Sequence, residues 1–385
     1  MHGVVILIIA SFFGCNADNR SVVRSNVEFT ANTFKELLKT SGNNNIIVSG
    51  LSAEVVLSLL ANGAKGETKK QLLNGLSLPD NIEDVNKEFT EITSHLITNT
   101  PDLKVLLANK IYPSQHFLIE QSFKDIAIND YSADVQNLDY NNRAEAASTI
   151  NEWVEQKTNN KIQNIIDPQI LDSTTVLVLV NALYFTGKFT HGFEKSNTAD
   201  RLFHSSPTES KNISTMYTEK FAKYAYNTKL KAKFLELGFR GGNSSITFVL
   251  PDEITGLAAA EQNLKEYLAA QQMEIARVAI TLPIFKIDTK VNLIPILQSF
   301  GIRQIFEEHA DLSGMAKGPI KVDNVLQKAF ISVNEGGVEA AAATVVTSAA
   351  YSMPPEPDQT FKADHPFLFY ISHNNLLLFM GRFMQ

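Results

Sequence analysis

"TTVLVLVNALYF", Thr174 to Phe185, is a nearly unbroken apolar run in a chain of 385 residues. A strand with one wet face alternates apolar and polar residues, because successive side chains point to opposite sides of the sheet. Here both alternating sets are apolar, so both faces must be covered. That places the segment in the centre of a sheet with a layer on each side.

The chain before this strand reads as helical. "NVEFTANTFKELLKTSG" puts Phe34, Leu37 and Leu38 on one face and stops at Gly42, a C-cap. "LSAEVVLSLLANGAKGETKKQLLNGL" gives two helices broken at Gly63 and Gly66, the second capped by Thr68. "AEAASTINEWVEQKTNNKIQNII" is a third amphipathic pattern, with Ile150, Trp153 and Val154 inward. After it come strands: "SSITFVLP", "VAITLPIFKI", "VLQKAFISVNE" and the closing "HPFLFYISHNNLLLFMGRFM". Helices first and strands later, without regular alternation, is the pattern of an α+β fold.

Composition is that of a globular protein, 44% apolar and 19% charged, with no internal repeat and no Pro/Gly/Ser-rich linker. The first residues, "MHGVVILIIASFFGCNA", carry an apolar run too short to cross a bilayer as a helix and end in small residues. They read as a signal peptide over 1–17, leaving a single domain over 18–385 and a secreted, extracellular protein. Cys15 is the only cysteine, so the mature chain has no disulfide and relies on its core. Sequons at Asn19, Asn212 and Asn243 are glycosylation candidates on an extracellular surface. The net charge of −7 argues against nucleic acid as a partner, and no segment is long enough to span a membrane. "KLKAK", Lys229 to Lys233, reads as a strand whose lysines share one solvated face.

Catalytic motifs are missing. There is no GxSxG, HExxH, Walker loop or GxGxxG. The eight histidines are scattered, and the nearest pair, His365 and His373, is divided by a strand's length of apolar residues, so no metal site is expected. "IFEEH", Ile305 to His309, places two glutamates beside a histidine but reads as a solvated helix end. The chain is not expected to be an enzyme.

Several segments, in register along the chain, resemble the serpin family. "FKADHPFLFYI", Phe361 to Ile371, matches the family signature. "VNALYFTGKF", "FVLPDE", "LPIFKI" and "HADLSG" fall in the family's order, as do "NNNIIVSGLSAEVVLSLLANGAKGETKKQL" and "INEWVEQKTNNKI". The resemblance implies three β-sheets, about nine helices and an exposed reactive loop, here about 335–360. It also implies a suicide mechanism, in which a serine protease cuts the loop, is held as an acyl-enzyme, and is dragged away as the loop inserts into the main sheet. No cofactor is needed, and a monomer is expected.

"VNEGGVEAAAATVV", Val333 to Val346, is the hinge of that loop. Read with period two, Val338, Ala340, Ala342 and Thr344 form a small uncharged face, while Glu339, Ala341 and Ala343 fall opposite. No proline interrupts Glu335 to Ala350, so every amide can join a ladder. Gly336 and Gly337 suit a sharp turn where strand becomes loop. In isolation the alanines would favour a helix; the resemblance requires only that they can also form a strand.

The family's usual spacing from the second hinge glycine places the scissile bond at Tyr351-Ser352. A tyrosine before the bond fits the hydrophobic slot of chymotrypsin-like serine proteases, and the absence of Lys or Arg between Glu335 and Lys362 disfavours trypsin-like ones. Ala349 and Ala350 offer an elastase-like protease a second choice. Ser49, Ser52, Asn181 and Gln327 match the polar cluster that controls opening of the main sheet. Gln327 stands where many vertebrate members have histidine, as in arthropod members, and removes a titrating group. Glu335 matches a hinge glutamate that pairs with lysine in some members, but Ile284 occupies the lysine's place. The segment where some members bind heparin, "NIEDVNKEFTEITSHL", is acidic, so heparin activation is not expected. Within the same fold the alternative is a non-inhibitory carrier, chaperone or storage protein, whose hinges tend to be bulky, charged or proline-bearing.

Overall fold

The computed structural model describes residues 21–269, 271–339 and 356–385. The expected signal peptide, Asn19, the hinge residues Ala340, Ala341, Ala342, Ala343 and Thr344, and the bond Tyr351-Ser352 lie outside them. Nine α-helices occur among the described residues: α1 Ser21–Ser41, α2 Gly50–Gly63, α3 Gly66–Gly75, α4 Ile82–Leu96, α5 Gln121–Tyr131, α6 Arg143–Lys157, α7 Leu257–Gln262, α8 Leu264–Leu268 and α9 Ile294–Ser299. None is long and apolar enough to cross a membrane.

The strands form two hydrogen-bonded sheets. The first has seven strands in the order β11 (Phe285–Asn292), β12 (Asn324–Asn334), β13 (Gly337–Val338), β5 (Leu177–Lys188), β3 (Leu103–Pro113) and β2 (Thr98–Asn99), with β4 (Asp134–Val135) beside β3. The second has nine: β1 (Ile46–Val48), β16 (Leu376–Phe383), β15 (Phe367–His373), β9 (Ser244–Pro251), β8 (Ala232–Gly238), β7 (Ser210–Asn227), β10 (Glu274–Pro283) and β14 (Gln359–Lys362), with β6 (Ala199–His204) on β7. Two of the three expected sheets are therefore continuous. The 18-residue β7 joins them, pairing with β10 over Thr215–Tyr224 and with β8 over Lys223–Asn227.

The run that opened the sequence is the central strand β5, buried from Leu177 through Phe185. Val178, Val180 and Ala182 pack with Ile150 and Val154 of α6. Leu177, Leu179 and Leu183 pack on the other side, in the large core that holds Val55, Val56 and Leu59 of α2. Burial of each such side chain is worth roughly 1.5–3 kcal/mol, so both layers hold this strand firmly.

Some local expectations change. Thr68 does not cap α3, whose N-cap Lys65 has no side-chain cap bond. Instead Thr68 Oγ1 accepts the amide of Asp311 at 3.0 Å, fastening a distant loop. The third helical pattern stops at Lys157, because Asn159 and Asn160 take left-handed φ of 50° and 59°, where asparagine is tolerated. The "KLKAK" lysines do not share a strand face. Lys229 and Lys231 sit in the turn before β8, where Lys229 pairs with Glu266 at 2.9 Å. At "IFEEH", Glu307 and His309 pair in solvent at 3.0 Å.

Candidate functional site: the hinge and the sheet that receives it

The chain leaves β12 at Asn334, turns through Glu335 and Gly336, and re-enters the same sheet as the two-residue strand β13. β13 is antiparallel to both neighbours: Gly337 and Val338 face Asn334 and Val333 of β12, and Lys188 and Gly187 of β5. The hinge is thus seated between two strands that, farther down, pair directly and in parallel over Asn324–Ala329 and Val178–Leu183.

Glycine is required here. Gly337 has φ of +140°, and a Cβ on it would overlap the carbonyl oxygen of Gly187. The turn is pinned from the segment following β5. The amides of Phe193 and Phe189 donate to the carbonyls of Glu335 and Gly336, both at 2.8 Å, and the Glu339 amide donates to Ser332 O at 2.7 Å. Thr186 Oγ1 donates to Val338 O at 2.9 Å.

Only Val338 and Glu339 of the two expected hinge faces lie within the described residues, and the extended strand ends at Val338. Val338 is wholly buried in the α2-side core. Glu339, the next residue, points to the α6 side, where its nearly buried carboxylate lies 3.8 Å from Lys161 Nζ. Burial raises its pKa, opposed by hydrogen bonding to Tyr184 and by the charges of Lys161 and Lys286. Glu339 also has a left-handed φ of 53°, costly for a residue with a Cβ. Seating two residues therefore bends the chain at the third. Glu335 has Thr198 rather than a lysine as partner, accepting from its hydroxyl at 2.8 Å.

Below the hinge the structure brings together Ser49, Ser52, Asn181 and Gln327. Gln327 faces Asn181 across the β12–β5 pair. Its Nε2 donates to Asn181 Oδ1 at 2.8 Å and to Ser49 O at 2.7 Å, while its Oε1 accepts the Ser49 amide at 3.1 Å. Ser49 caps α2 by accepting from the Ser52 amide at 3.3 Å. A glutamine supplies this set with one acceptor and one amide nitrogen, which a histidine ring would share out differently, and Asn181 Nδ2 stays buried without a hydrogen-bond partner.

Two further residues belong to this region and were not singled out by sequence. Asn109, opposite Asn181 on β3, accepts from Ser52 Oγ at 3.1 Å; a lone amide inside the apolar run "VLLANKI" was the available signal. Lys220 of β7 has no such signal. Its amine donates to His191 O at 2.6 Å and lies over the rings of Phe193 and Phe189, at 4.3 and 5.5 Å. Burial pushes it down to about 8. It thus braces the segment that pins the hinge. Asn212 on β7 and Asn243 before β9 are both exposed. His365 and His373 are not brought together; their rings bond Pro251 O at 2.7 Å and Ser244 Oγ at 2.5 Å. No group of three His, Cys, Asp or Glu capable of holding a metal occurs among the described residues.

The family described as "Serpin (serine protease inhibitor)" matches residues 24–385. The chain belongs to the serpin family. Antichymotrypsin-2 of Bombyx mori is 34% identical over 367 residues, 93% of this chain and 96% of that one. Antitrypsin of the same insect is 33% identical, covering 94% and 93%. The crystal structure of Serpin48 of the insect Tenebrio molitor superposes with a TM-score of 0.88 at 35% identity, covering 96% of this chain and all of that one. The fold is the serpin fold, and the partner implied by the family is a serine protease. The two Bombyx mori relatives carry names that refer to different proteases at nearly equal identity.

Proposed function

We propose that this serpin is a secreted suicide inhibitor of chymotrypsin-like serine proteases, cut at Tyr351-Ser352. The observation that carries the reading is the seating of Gly337 and Val338 between β12 and β5. In this reading the pair is the start of an inserted strand, which lengthens once Glu339 gives up its left-handed turn. The protease's serine adds to the Tyr351 carbonyl carbon, the amine of Ser352 leaves, and the acyl-enzyme is held on the upstream fragment. Ala340, Ala342 and Thr344 then follow Val338 along the α2 face as β12 separates from β5. Inserting about a dozen residues adds ladder hydrogen bonds worth roughly 0.5–1.5 kcal/mol each. The total, on the order of 10 kcal/mol, rivals the stability of a whole domain, enough to deform the bound enzyme. In this reading Ser49, Ser52, Asn181 and Gln327 set the resistance to separation. Residues 1–17 direct secretion, and exposed Asn212 and Asn243 are acceptors for glycans.

Mixing the mature protein with chymotrypsin and running a denaturing gel tests this. A covalent band near the summed mass is expected, with release of the fragment that begins at Ser352. Complete cleavage with no such band would mean a substrate or a non-inhibitory serpin. Tyr351→Arg is expected to move the covalent reaction from chymotrypsin to trypsin; an unchanged preference would show the bond to be elsewhere.

A further inference from the structure

The nine-stranded sheet carries an apolar patch that the hinge does not use. Phe221 and Ile275 are 70% and 74% exposed, although both lie within strands. In the β7–β10 register Phe221 faces Arg277 and Lys223 faces Ile275, so Phe221 and Ile275 are diagonal neighbours on one face. They share the rim of a cleft of about 1180 Å³ with Lys223, Glu236 and Arg240. Two of the flanking cations are already matched within the molecule. Arg277 pairs with Glu219, and Lys223 with Glu236, each at 2.8 Å.

The patch lies where the reactive loop returns to the body. Asp358 accepts the Arg277 amide at 3.1 Å, and β14 then pairs with β10 from Gln359. Tyr351 precedes Asp358 by seven residues, and a chain spans at most about 3.6 Å per residue. The scissile bond is therefore within about 25 Å of Arg277, which sits across from Phe221 and two residues from Ile275. A protease domain of about 240 residues is roughly 45 Å across. An enzyme of that width holding Tyr351 can therefore reach these two side chains.

We propose that Phe221 and Ile275 form a docking surface for the protease that engages the loop, covered by an apolar spot beside that enzyme's active-site cleft. The inference rests on the proposed inhibitory function and adds a second contact to it. Because the two side chains are apolar, their contribution to the first complex has no strong dependence on salt.

The test uses chymotrypsin whose nucleophilic serine is replaced by alanine, which binds the loop without cutting it, and active chymotrypsin for rates. Phe221→Thr and Ile275→Thr keep strand-compatible residues at exposed positions, so an unchanged thermal midpoint is expected. The double variant is expected to weaken binding to the silenced enzyme about tenfold, equally at low and high salt. With active enzyme it should slow complex formation by a similar factor while leaving the final covalent yield intact. Leu118→Thr, at a side chain 84% exposed before α5, should change neither quantity. Binding and rate within twofold of wild type would overturn the docking surface. So would a lowered covalent yield, which points to loop insertion instead, or an equal loss in Leu118→Thr. If wild type neither binds nor forms the complex, the inhibitory function and the docking surface fall together; if wild type does both and the variants match it, only the surface falls.

Discussion

The upper and lower halves of the β5–β12 pair are built from the same two strands and behave differently. Below, six residues of each strand pair directly, from Asn324 to Ala329 and from Val178 to Leu183, locked by Gln327 between Asn181 and Ser49. Above, Gly337 and Val338 hold the strands apart. The lower half is closed by polar groups that no water reaches, so separating it leaves them unsatisfied until something replaces them. The upper half is open because a strand has begun to fill it. If the sheet opens as proposed, the lower half must give up both this ladder and the side-chain bonds of Gln327.

The largest effect is expected from stopping the upper strand from growing downward. Ala340→Arg adds a charge two residues after Val338, on the face that the proposed insertion would bury. Chymotrypsin is expected to cleave the variant fully with no covalent band, while the thermal midpoint stays near that of wild type. A full yield of covalent complex would refute the assignment of that face.

A smaller effect is expected from unlocking the lower half. Asn181→Ala removes an acceptor from Gln327 and a partner strand's side chain from the buried cluster, costing about 1–3 kcal/mol. Thermal unfolding should register the loss. The same variant should take up a synthetic peptide of sequence 338–350 faster than wild type, because the strands part more easily. Unfolding loss without faster uptake would make the cluster a packing feature alone.

The mildest perturbation lies under the sheet in α2. Glu54 is fully buried, accepts from Ser25 Oγ, and is raised by burial from 4.5 to about 8. Folded protein therefore holds this proton where unfolded chain has released it. Its contribution to stability is complete below about pH 4.5 and declines as pH rises toward 8. Glu54→Gln should flatten the stability profile between those limits, measured as denaturation midpoints at several pH values. An unchanged difference between wild type and variant across the range would show Glu54 to be ionised in the fold.

Much of the frame was legible. The two apolar sets of β5 announced a strand covered on both sides, and Gly42 and Gly63 ended their helices, because those signals are local in sequence. The "KLKAK" lysines and Thr68 misled because a short period-two pattern or a lone threonine carries no information about what packs against it. Lys220 was illegible for the same reason. Its value depends on Phe189, Phe193 and His191, some thirty residues away in the chain.

Residue identities alone give a hinge that is small, uncharged on one face and free of proline, which are the requirements for joining a sheet. Those are properties of side-chain volume and backbone donors, which any segment carries with it. Only the tertiary structure decided how far that strand has formed and what resists the rest. Where Val338 stops, why Glu339 bends away, and which amides lock β12 to β5 depend on distances between segments that sequence neighbours do not fix.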